Sequence, residues 1–205
     1  KKKKLVGFEG PEAKIIPAGN THLARELARQ QEHNIRHKKR KAYKIKNEQA
    51  ILLILSAQLP NPNLLVPLFK MISKADNLRI FVKFHPSCKK PQVDKWIKAA
   101  SPTAQRNLIF IHVEESTYDL FSMSDVVVLG HKSTTGLEAL YFGKPLVKLD
   151  FAYIPHSQYS FVDRGVAVKM GVAELTTALN SKTDFMALMD KNRIQKFLTE
   201  ELADT

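Results

Sequence analysis

Runs of apolar residues alternate with amphipathic stretches along the chain from residue 50 onward. The runs are short and continuous, which predicts buried strands at 50–57, 78–84, 107–113, 125–130, 145–150 and 165–170. Between them, apolar residues at helical spacing predict helices at 61–75, 90–101, 116–124, 133–143 and 172–180, with a closing helix over 184–203. Continuous apolar strands that are each followed by a helix are typical of a parallel sheet covered on both faces. The pattern predicts a doubly wound, Rossmann-like α/β fold with a parallel sheet of about six strands.

The chain before residue 50 follows another pattern. Residues 10–20 predict a short strand and a turn, and residues 21–49 contain good helix formers that become polar and basic without a wide apolar stripe. We predict a helix in the first half of 21–49 and an exposed second half. The expected organisation is a basic leader and inter-domain segment at 1–48, a Rossmann-like domain at 49–182 and a closing helix at 183–205. Because the chain begins at Lys1 inside a charged run, we expect a piece of a longer protein.

The positive charge is concentrated in this leader. The chain carries 32 Lys and Arg against 20 Asp and Glu, and residues 1–46 hold 14 of the former against 4 of the latter. A basic segment attracts an anionic membrane surface, an anionic polymer or nucleic acid, and a solvated helix face explains the same composition. Nucleic acid is the least favoured partner, because Tyr43 is the one aromatic residue among the basic residues that follow residue 33.

Composition excludes several classes of protein. No apolar run is long enough to cross a bilayer and no signal-peptide pattern appears. Cys88 is the single cysteine, which rules out an intrachain disulfide and a cysteine-rich zinc site. We expect a cytoplasmic protein that is either free or peripheral at the inner face of the membrane.

The predicted sheet places polar residues at one edge. In open parallel sheets, ligands bind outside the carboxyl ends of the strands, where loops and helix N-termini converge. The residues that follow the predicted strands are Ser56, Gln58, His85, Glu114, Glu115, residues 130–135 and Asp150. Glu114, Glu115 and Asp150 offer an acid pair, although carboxylates in such loops are common.

The segment GHKSTTGLEALYFGKP, residues 130–145, joins a strand end to a helix start. Hydroxyl groups at the helix start, together with free backbone N–H groups and a lysine, form a site suited to a phosphate. These residues are Lys132, Ser133, Thr134 and Thr135, with Gly136 beside them. A capping box from Thr135 to Glu138 would explain the same residues without a ligand. Gly143 with Pro145 is expected to stop the helix.

A second candidate donor stands in VKFHPS, residues 82–87. His85 follows a predicted buried strand, and Pro86 restricts the turn after it. A histidine at this place either donates to a phosphate oxygen or only closes the strand by bonding a carbonyl. What favours a phosphate is the pair of donors, His85 and the 133–135 helix start, at one sheet edge.

Residues 50–180 resemble the C-terminal, nucleotide-binding domain of GT-B fold glycosyltransferases. The similarity rests on VKFHP at 82–86, on 116–150 and on AELTTALN at 173–180. The groups it resembles have a K-x-H-P strand end and an S-T-x-x-x-E-A-L-x-x-G-K-P segment: CDP-glycerol glycerophosphotransferases, bacterial sialyltransferases and capsule-polymer transferases. The resemblance implies a role in bacterial glycan or cell-surface polymer synthesis.

The resemblance also implies roles for individual residues. His85 and the hydroxyls of Ser133, Thr134 and Thr135 would hold the donor phosphates, and Glu138 would bond the ribose. The loop from His112 to Glu114 would lie along the nucleobase. Further expected members of the site are Ser56 and Gln58 at the cleft, Lys132 at the phosphate, and His131 as a residue that takes or gives a proton; His156 and Arg164 are additional candidates for the cleft.

The resemblance implies a nucleotide-activated donor, linked to CDP, CMP or UDP. No Asp-x-Asp triplet occurs, so we expect no obligatory divalent metal at the donor phosphates. In GT-B enzymes the acceptor site and the catalytic base usually come from an N-terminal domain, for which this chain has no room. We therefore expect a transferase fragment that binds a nucleotide and pairs with that missing domain.

Two alternatives belong to other classes. A UDP-sugar 2-epimerase has a similar fold, but its pattern has Ser-Gly-Gly where this chain has Ser-Thr-Thr. A non-enzymatic module would use the basic leader to bind nucleic acid or a membrane, with the α/β body as its scaffold.

Overall fold

The computed structural model describes residues 21–46, 48–55, 66–72, 74, 77–100, 104–129, 134–150 and 161–203. Six strands lie in this part of the chain: β1 (Gln49–Leu55), β2 (Leu78–Phe84), β3 (Leu108–Ile111), β4 (Val126–Leu129), β5 (Leu146–Leu149) and β6 (Val168–Met170). The helices are α1 (Thr21–Glu32), α2 (Ile35–Ala42), α3 (Val66–Ile72), α4 (Lys90–Ala99), α5 (Thr117–Met123), α6 (Thr135–Tyr141), α7 (Val172–Asn180) and α8 (Lys191–Ala203). The predicted strand and turn at 10–20 lie outside the described residues.

The six strands form one sheet in the order β3-β2-β1-β4-β5-β6, and all five pairings are parallel. This confirms the predicted doubly wound, Rossmann-like architecture. The chain builds outward from β1 in one direction through β3, and then returns to build outward in the other direction from β4. The junction between β1 and β4 is therefore the topological switch point, where a crevice opens at the carboxyl edge of such sheets.

Alternate strand residues enter two separate apolar layers. In β4, Val126 and Val128 pack with one cluster, and Val127 and Leu129 pack with the other. The first layer is covered by α3, α4 and α7, and the second by α1, α5, α6 and α8. Because both faces of the strands are buried, most strand positions are apolar, which is the origin of the apolar runs in the sequence.

The chain leaves α6 through a glycine turn. Gly143 has a φ of +66°, its N–H donates to the carbonyl of Leu140, and the Lys144 N–H donates to the carbonyl of Ala139. This is the Schellman arrangement, in which a left-handed residue satisfies the last helix carbonyls. The predicted stop at Gly143 is confirmed.

The closing helix is shorter than predicted. It begins at Lys191 rather than at residue 184, and the Asp190 carboxylate caps it by accepting the N–H groups of Asn192 and Arg193 at 2.9 and 3.2 Å. Phe185 and Met189 are buried in opposite layers of the core. Residues four apart share one face of a helix, so a single helix cannot bury both of these side chains.

The expectation that the second half of residues 21–49 is exposed is confirmed for most of α2, but the helix is also attached to the domain. This helix buries no residue completely, but Arg36 and Arg40 pair with Asp125 at 2.5 and 3.1 Å, and Lys39 pairs with Glu115. Ion pairs, rather than an apolar stripe, hold α2 against the domain. The acidic partners lie more than 70 residues away in sequence, so helical periodicity within 21–49 carries no sign of them.

Candidate functional site

Except for Glu138 and Arg164, the predicted site residues that the structure describes lie along one edge of the sheet. His85 follows β2, residues 112–115 follow β3, Thr134 precedes α6, and Asp150 follows β5. In the sheet β2 and β4 both neighbour β1, which sets their ends roughly 10 Å apart at the usual strand spacing. His85 and the start of α6 therefore flank the end of β1 at the switch point.

The imidazole of His85 is exposed, and its Nδ1 is occupied by Ser87. The Ser87 N–H donates to Nδ1 at 3.1 Å, and the Ser87 Oγ lies 2.7 Å from the same nitrogen. A ring nitrogen that accepts a backbone N–H carries no proton, so the ring proton sits on Nε2. The turn is closed by the Cys88 N–H, which donates to the His85 carbonyl at 2.8 Å. His85 thus carries its Nε2–H donor at the edge.

The start of α6 does not form the predicted capping box. Thr134 occupies the N-cap position and its side chain makes no capping bond, while the Leu137 N–H donates to the Thr134 carbonyl at 3.0 Å. The box requires the cap at Thr135, which would put Glu138 at the third helical position. Because the helix begins one residue earlier, Leu137 takes that position, and capping does not account for Glu138.

Glu138 is half-buried and faces two aromatic rings instead. The Tyr118 hydroxyl donates to its Oε1 over a long 3.5 Å, and the His22 ring packs edge-on against Tyr118 at 5.5 Å between centroids. Burial raises the pKa of Glu138, and the Tyr118 hydroxyl and the charge of His22 partly oppose this effect. The carboxylate is one helical turn from the edge, beside residues that come from α1 and α5.

The loop after β3 is shaped by its own hydrogen bonds. The His112 N–H donates to the Glu114 carboxylate at 2.7 Å, and hydrogen bonds from backbone N–H groups lower the pKa of Glu114. Val113 projects from this loop with 63% of its surface exposed. The predicted site residue Glu114 therefore holds the loop in shape, and the exposed apolar surface belongs to Val113.

Lys83 was missed as a functional residue in the sequence. It lies in β2, is only 6% exposed, and its ammonium donates to the carbonyls of His112 and Glu115 at 2.5 and 3.1 Å. Burial lowers its pKa, against the opposing charges of Glu114 and Glu115. The available signal was a charged residue inside a continuous apolar strand, since a buried lysine requires a partner.

A second missed cation is Lys148, near the end of β5. Its Nζ is buried and has no hydrogen-bond partner in the described part of the chain, and burial lowers its pKa. It pairs in register with Leu129, the last residue of β4. An ammonium without a partner near the carboxyl edge is a candidate contact for an anion.

The carboxylates after the strands do not form an acid pair. Glu115 is bound by Lys39 of α2 and by Tyr43, which follows that helix, and Asp150 pairs with Lys169 at 3.0 Å. Four strand spacings separate β3 from β5 in the sheet, which is roughly 19 Å. This distance excludes direct cooperation between Glu114 or Glu115 and Asp150.

Arg164, an expected member of the cleft, is bound to α8. Its guanidinium lies 5.1 Å from the centroid of the Phe197 ring and pairs with Glu200 and Glu201. These contacts attach the segment before β6 to the closing helix. Six other candidates lie outside the described residues and remain predictions: Ser56, Gln58, His131, Lys132, Ser133 and His156.

The described residues contain neither a cluster suited to a metal ion nor a helix suited to a membrane. Within the described ranges, no three or more His, Cys, Asp or Glu side chains are grouped so that they would hold a metal ion. The helices of the same ranges include none with the length and apolar character needed to span a bilayer.

The sheet order and the polar carboxyl edge define a Rossmann-like α/β domain. Solved structures similar to the chain include Anabaena HepE in complex with UDP and glucose, with a TM-score of 0.59 at 12% identity over 82% of this chain and 48% of HepE. TarM has a TM-score of 0.55 at 16% identity over 78% of this chain and 34% of TarM. A glycosyltransferase from Rickettsia africae has a TM-score of 0.51 at 11% identity, covering 84% of this chain and 52% of that protein.

These similarities show the fold and not an activity, because the sequence identities are low. No protein-family model matches the sequence, and no curated protein matches it. The chain spans 34%, 48% and 52% of the lengths of TarM, HepE and the Rickettsia africae protein, respectively.

Proposed function

We propose that this chain is the donor-nucleotide-binding half of a GT-B type glycosyltransferase or glycerophosphotransferase. One observation carries the proposal: His85 follows β2 and α6 follows β4, and these two strands flank β1 at the switch point of the sheet. Donors that stand on both sides of this crevice suit the phosphates of a nucleotide-activated donor.

In this proposal the nucleotide lies across the crevice. His85 donates to one phosphate oxygen, and Thr134, Thr135 and the backbone N–H groups of the first turn of α6 bond the same phosphate or its neighbour. Ser133 and Lys132 complete this group. Glu138 bonds the ribose hydroxyls; that its carboxylate is not used in helix capping supports this role. The base lies along residues 112–114, where Val113 offers apolar surface.

The transfer step requires that negative charge on the departing phosphate be stabilised. Hydrogen-bond donors held in place before the reaction provide this without a metal ion. The donors proposed here are the His85 Nε2–H and the N–H groups at the start of α6, with Lys148 as a further positive charge. His131 is the proposed proton carrier of this half.

The donor class is proposed from two sources. HepE was solved with UDP and with UDP-glucose, which supports a UDP-linked donor. The K-x-H-P and S-T-x-x-x-E-A-L segments resemble those of enzymes that use CDP- or CMP-linked donors.

We propose that the acceptor site and catalytic base belong to an N-terminal domain facing Ser56 and Gln58. We further propose that the protein works in bacterial polymer synthesis on the cytoplasmic side of a membrane whose anionic surface attracts the leader.

Calorimetric titration with CMP, CDP, UMP and UDP tests the proposal. We expect saturable binding of at least one nucleotide, weakened about ten-fold or more by His85→Ala or Glu138→Gln, which each remove a polar contact. His37→Ala, at an exposed histidine of α2, is the matched control and should bind as the wild type does.

Three outcomes discriminate among the functions. Preference for cytidine nucleotides supports the glycerophosphotransferase or sialyltransferase type. Preference for UDP favours a UDP-sugar transferase or the epimerase, which an assay for epimerised product separates. If no nucleotide binds at millimolar concentration, while DNA or anionic lipid binds with steep salt dependence, the proposal is wrong and the non-enzymatic module is supported.

A further inference from the structure

Glu115 connects the loop after β3 to helix α2. The Tyr43 hydroxyl donates to Glu115 Oε1 at 2.9 Å, and the Lys39 ammonium bonds Oε2. Burial, followed by the neighbouring Glu115, raises the pKa of Tyr43 to about 12, so its hydroxyl keeps the proton that it donates. Lys39 and Tyr43 of the basic leader thus both donate hydrogen bonds to the Glu115 carboxylate at the end of the loop.

Lys83 holds the same loop from the strand beneath it. Its ammonium bonds the carbonyls at the two ends of the loop, those of His112 and Glu115. Residues 112–115 are therefore attached at both ends and from two directions, by β2 and by α2. Between the attachments, Val113 remains exposed and is free to contact a ligand.

Helix α2 is itself fixed to the domain by contacts away from the loop. Arg36 donates to the carbonyls of Ser122 and Ser124 and to Asp125, and Arg40 bonds the Met123 carbonyl and Asp125. After the helix ends, the Tyr43 ring packs edge-on against Phe81 of β2 at 4.9 Å. A helix held in this way can transmit a fixed position to Glu115.

From these contacts we infer that α2 is a positioning element of the nucleotide site, in which Lys39 and Tyr43 act through Glu115 to hold residues 112–115 in the shape that receives the base. This inference rests on the proposed function. A loop that is already ordered loses little further conformational entropy when the ligand binds. Contacts that order the loop therefore raise the affinity for the ligand without touching it. The leader would then serve the nucleotide site as well as any anionic surface.

The test uses a double variant, Lys39→Met with Tyr43→Phe, which removes both donors to Glu115 and keeps the packing of the ring on Phe81. Asp119, the other partner of Lys39, retains Arg29 and Gln30 at 2.5 and 2.9 Å. The matched control is Lys38→Met, which removes one positive charge from an exposed position of the same helix. Two readouts are taken: amide hydrogen exchange of residues 113–115 without nucleotide, and affinity for the tightest-binding of CMP, CDP, UMP and UDP.

We expect the double variant to exchange these amides about ten-fold faster or more and to bind the nucleotide at least about five-fold more weakly, because the ordering cost moves into the binding step. The Lys38→Met control should keep both quantities within about two-fold of the wild type. The inference is overturned if the double variant keeps wild-type exchange and affinity, or if the control loses as much. If the wild type binds none of the four nucleotides, the proposed function fails and the inference fails with it, which is a different result from a binding wild type with an equally good variant.

Discussion

His85 illustrates how one neighbouring residue selects the chemistry of a side chain. Ser87 supplies a backbone N–H to Nδ1, so Nδ1 acts as an acceptor and the ring proton is left on Nε2. The sequence places His85 at the strand end, but it does not specify the tautomer, which depends on the turn that Pro86 and Ser87 form. The expected donor is therefore the Nε2–H of the His85 ring.

Close packing around α6 requires a glycine at position 136. The sequence, which places Gly136 in the predicted phosphate site, does not reveal this requirement. A Cβ at this position would lie 2.7 Å from Phe161 Cε2 and 2.9 Å from Leu129 Cδ1. We predict that Gly136→Ala lowers the free energy of unfolding by about 1–3 kcal/mol, the usual cost of overpacking a core. Denaturant-induced unfolding measures the change.

Gly171→Ala is the control for this prediction. Gly171 has a φ of −70°, and the nearest atom to an added Cβ is 3.6 Å away. Its cost should stay below about 1 kcal/mol, that of replacing a glycine cap by alanine. Equal losses at both glycines would show that the contact with Phe161 is not tight.

At the scale of elements, the end of α5 gathers three cations. Arg36, Arg40 and Lys144 donate to carbonyls of residues 122–124, the last carbonyls of the helix and its cap. Positive charge is favourable at this end of a helix. Lys144 is the most affected of the three by its surroundings. Its burial, and then the nearby Arg36, lower its pKa from 10.5 to about 8.

The shifted pKa of Lys144 predicts how stability depends on pH. The folded-state pKa of about 8 lies below the unfolded value of 10.5, so between them the unfolded chain binds more protons. Stability linked to Lys144 therefore rises as the pH passes through the folded pKa. Relative to Lys144→Met, the wild type should gain about 1–2 kcal/mol of unfolding free energy between about pH 7.5 and 9.5.

Urea unfolding of both proteins at several pH values measures this difference, with Lys95→Met on the exposed face of α4 as the control. The difference between wild type and the control should not change over the same pH range. A wild-type to Lys144→Met difference that is flat or falls with pH contradicts the assignment of a depressed pKa to Lys144.

At the scale of the whole molecule, the leader helices and the domain share one core. Leu23 of α1 and Ile45 after α2 are 2% and 4% exposed, and both belong to the apolar layer under α5 and α6. The sequence predicts a basic leader and inter-domain segment at 1–48 beside a Rossmann-like domain at 49–182. In the structure, four of its cations bind three carboxylates of that domain, Glu115, Asp119 and Asp125.

Deletion of residues 1–46 should therefore destabilise the domain. It removes Leu23 and Ile45 from the apolar layer and leaves the three carboxylates without their cations, so we expect a loss of several degrees or more in the midpoint of thermal unfolding. A variant that replaces the exposed Lys38, Lys41 and Lys44 by Gln changes the charge alone and should unfold within about two degrees of the wild type. An intact, equally stable deletion product would show that the leader is separable.

The fold was predictable from the sequence to a greater extent than the site. Six strands and their helices follow from local apolar runs, because burial on both faces leaves a signal at each position. The docking of α2, the role of Lys83 and the failure of the capping box depend on partners distant in sequence or on a shift of one residue in the start of α6. Local patterns contain neither kind of information.

The central claim is that a nucleotide phosphate binds between His85 and the start of α6. The most direct test is nuclear magnetic resonance of the histidine side-chain nitrogens while CMP, CDP, UMP or UDP is added. The account predicts that the apo protein shows His85 with its proton on Nε2, and that a nucleotide shifts this Nε2–H signal saturably while His37 does not respond. A His85 signal that all four nucleotides leave unchanged at millimolar concentration, or an equal shift at His37, would contradict it.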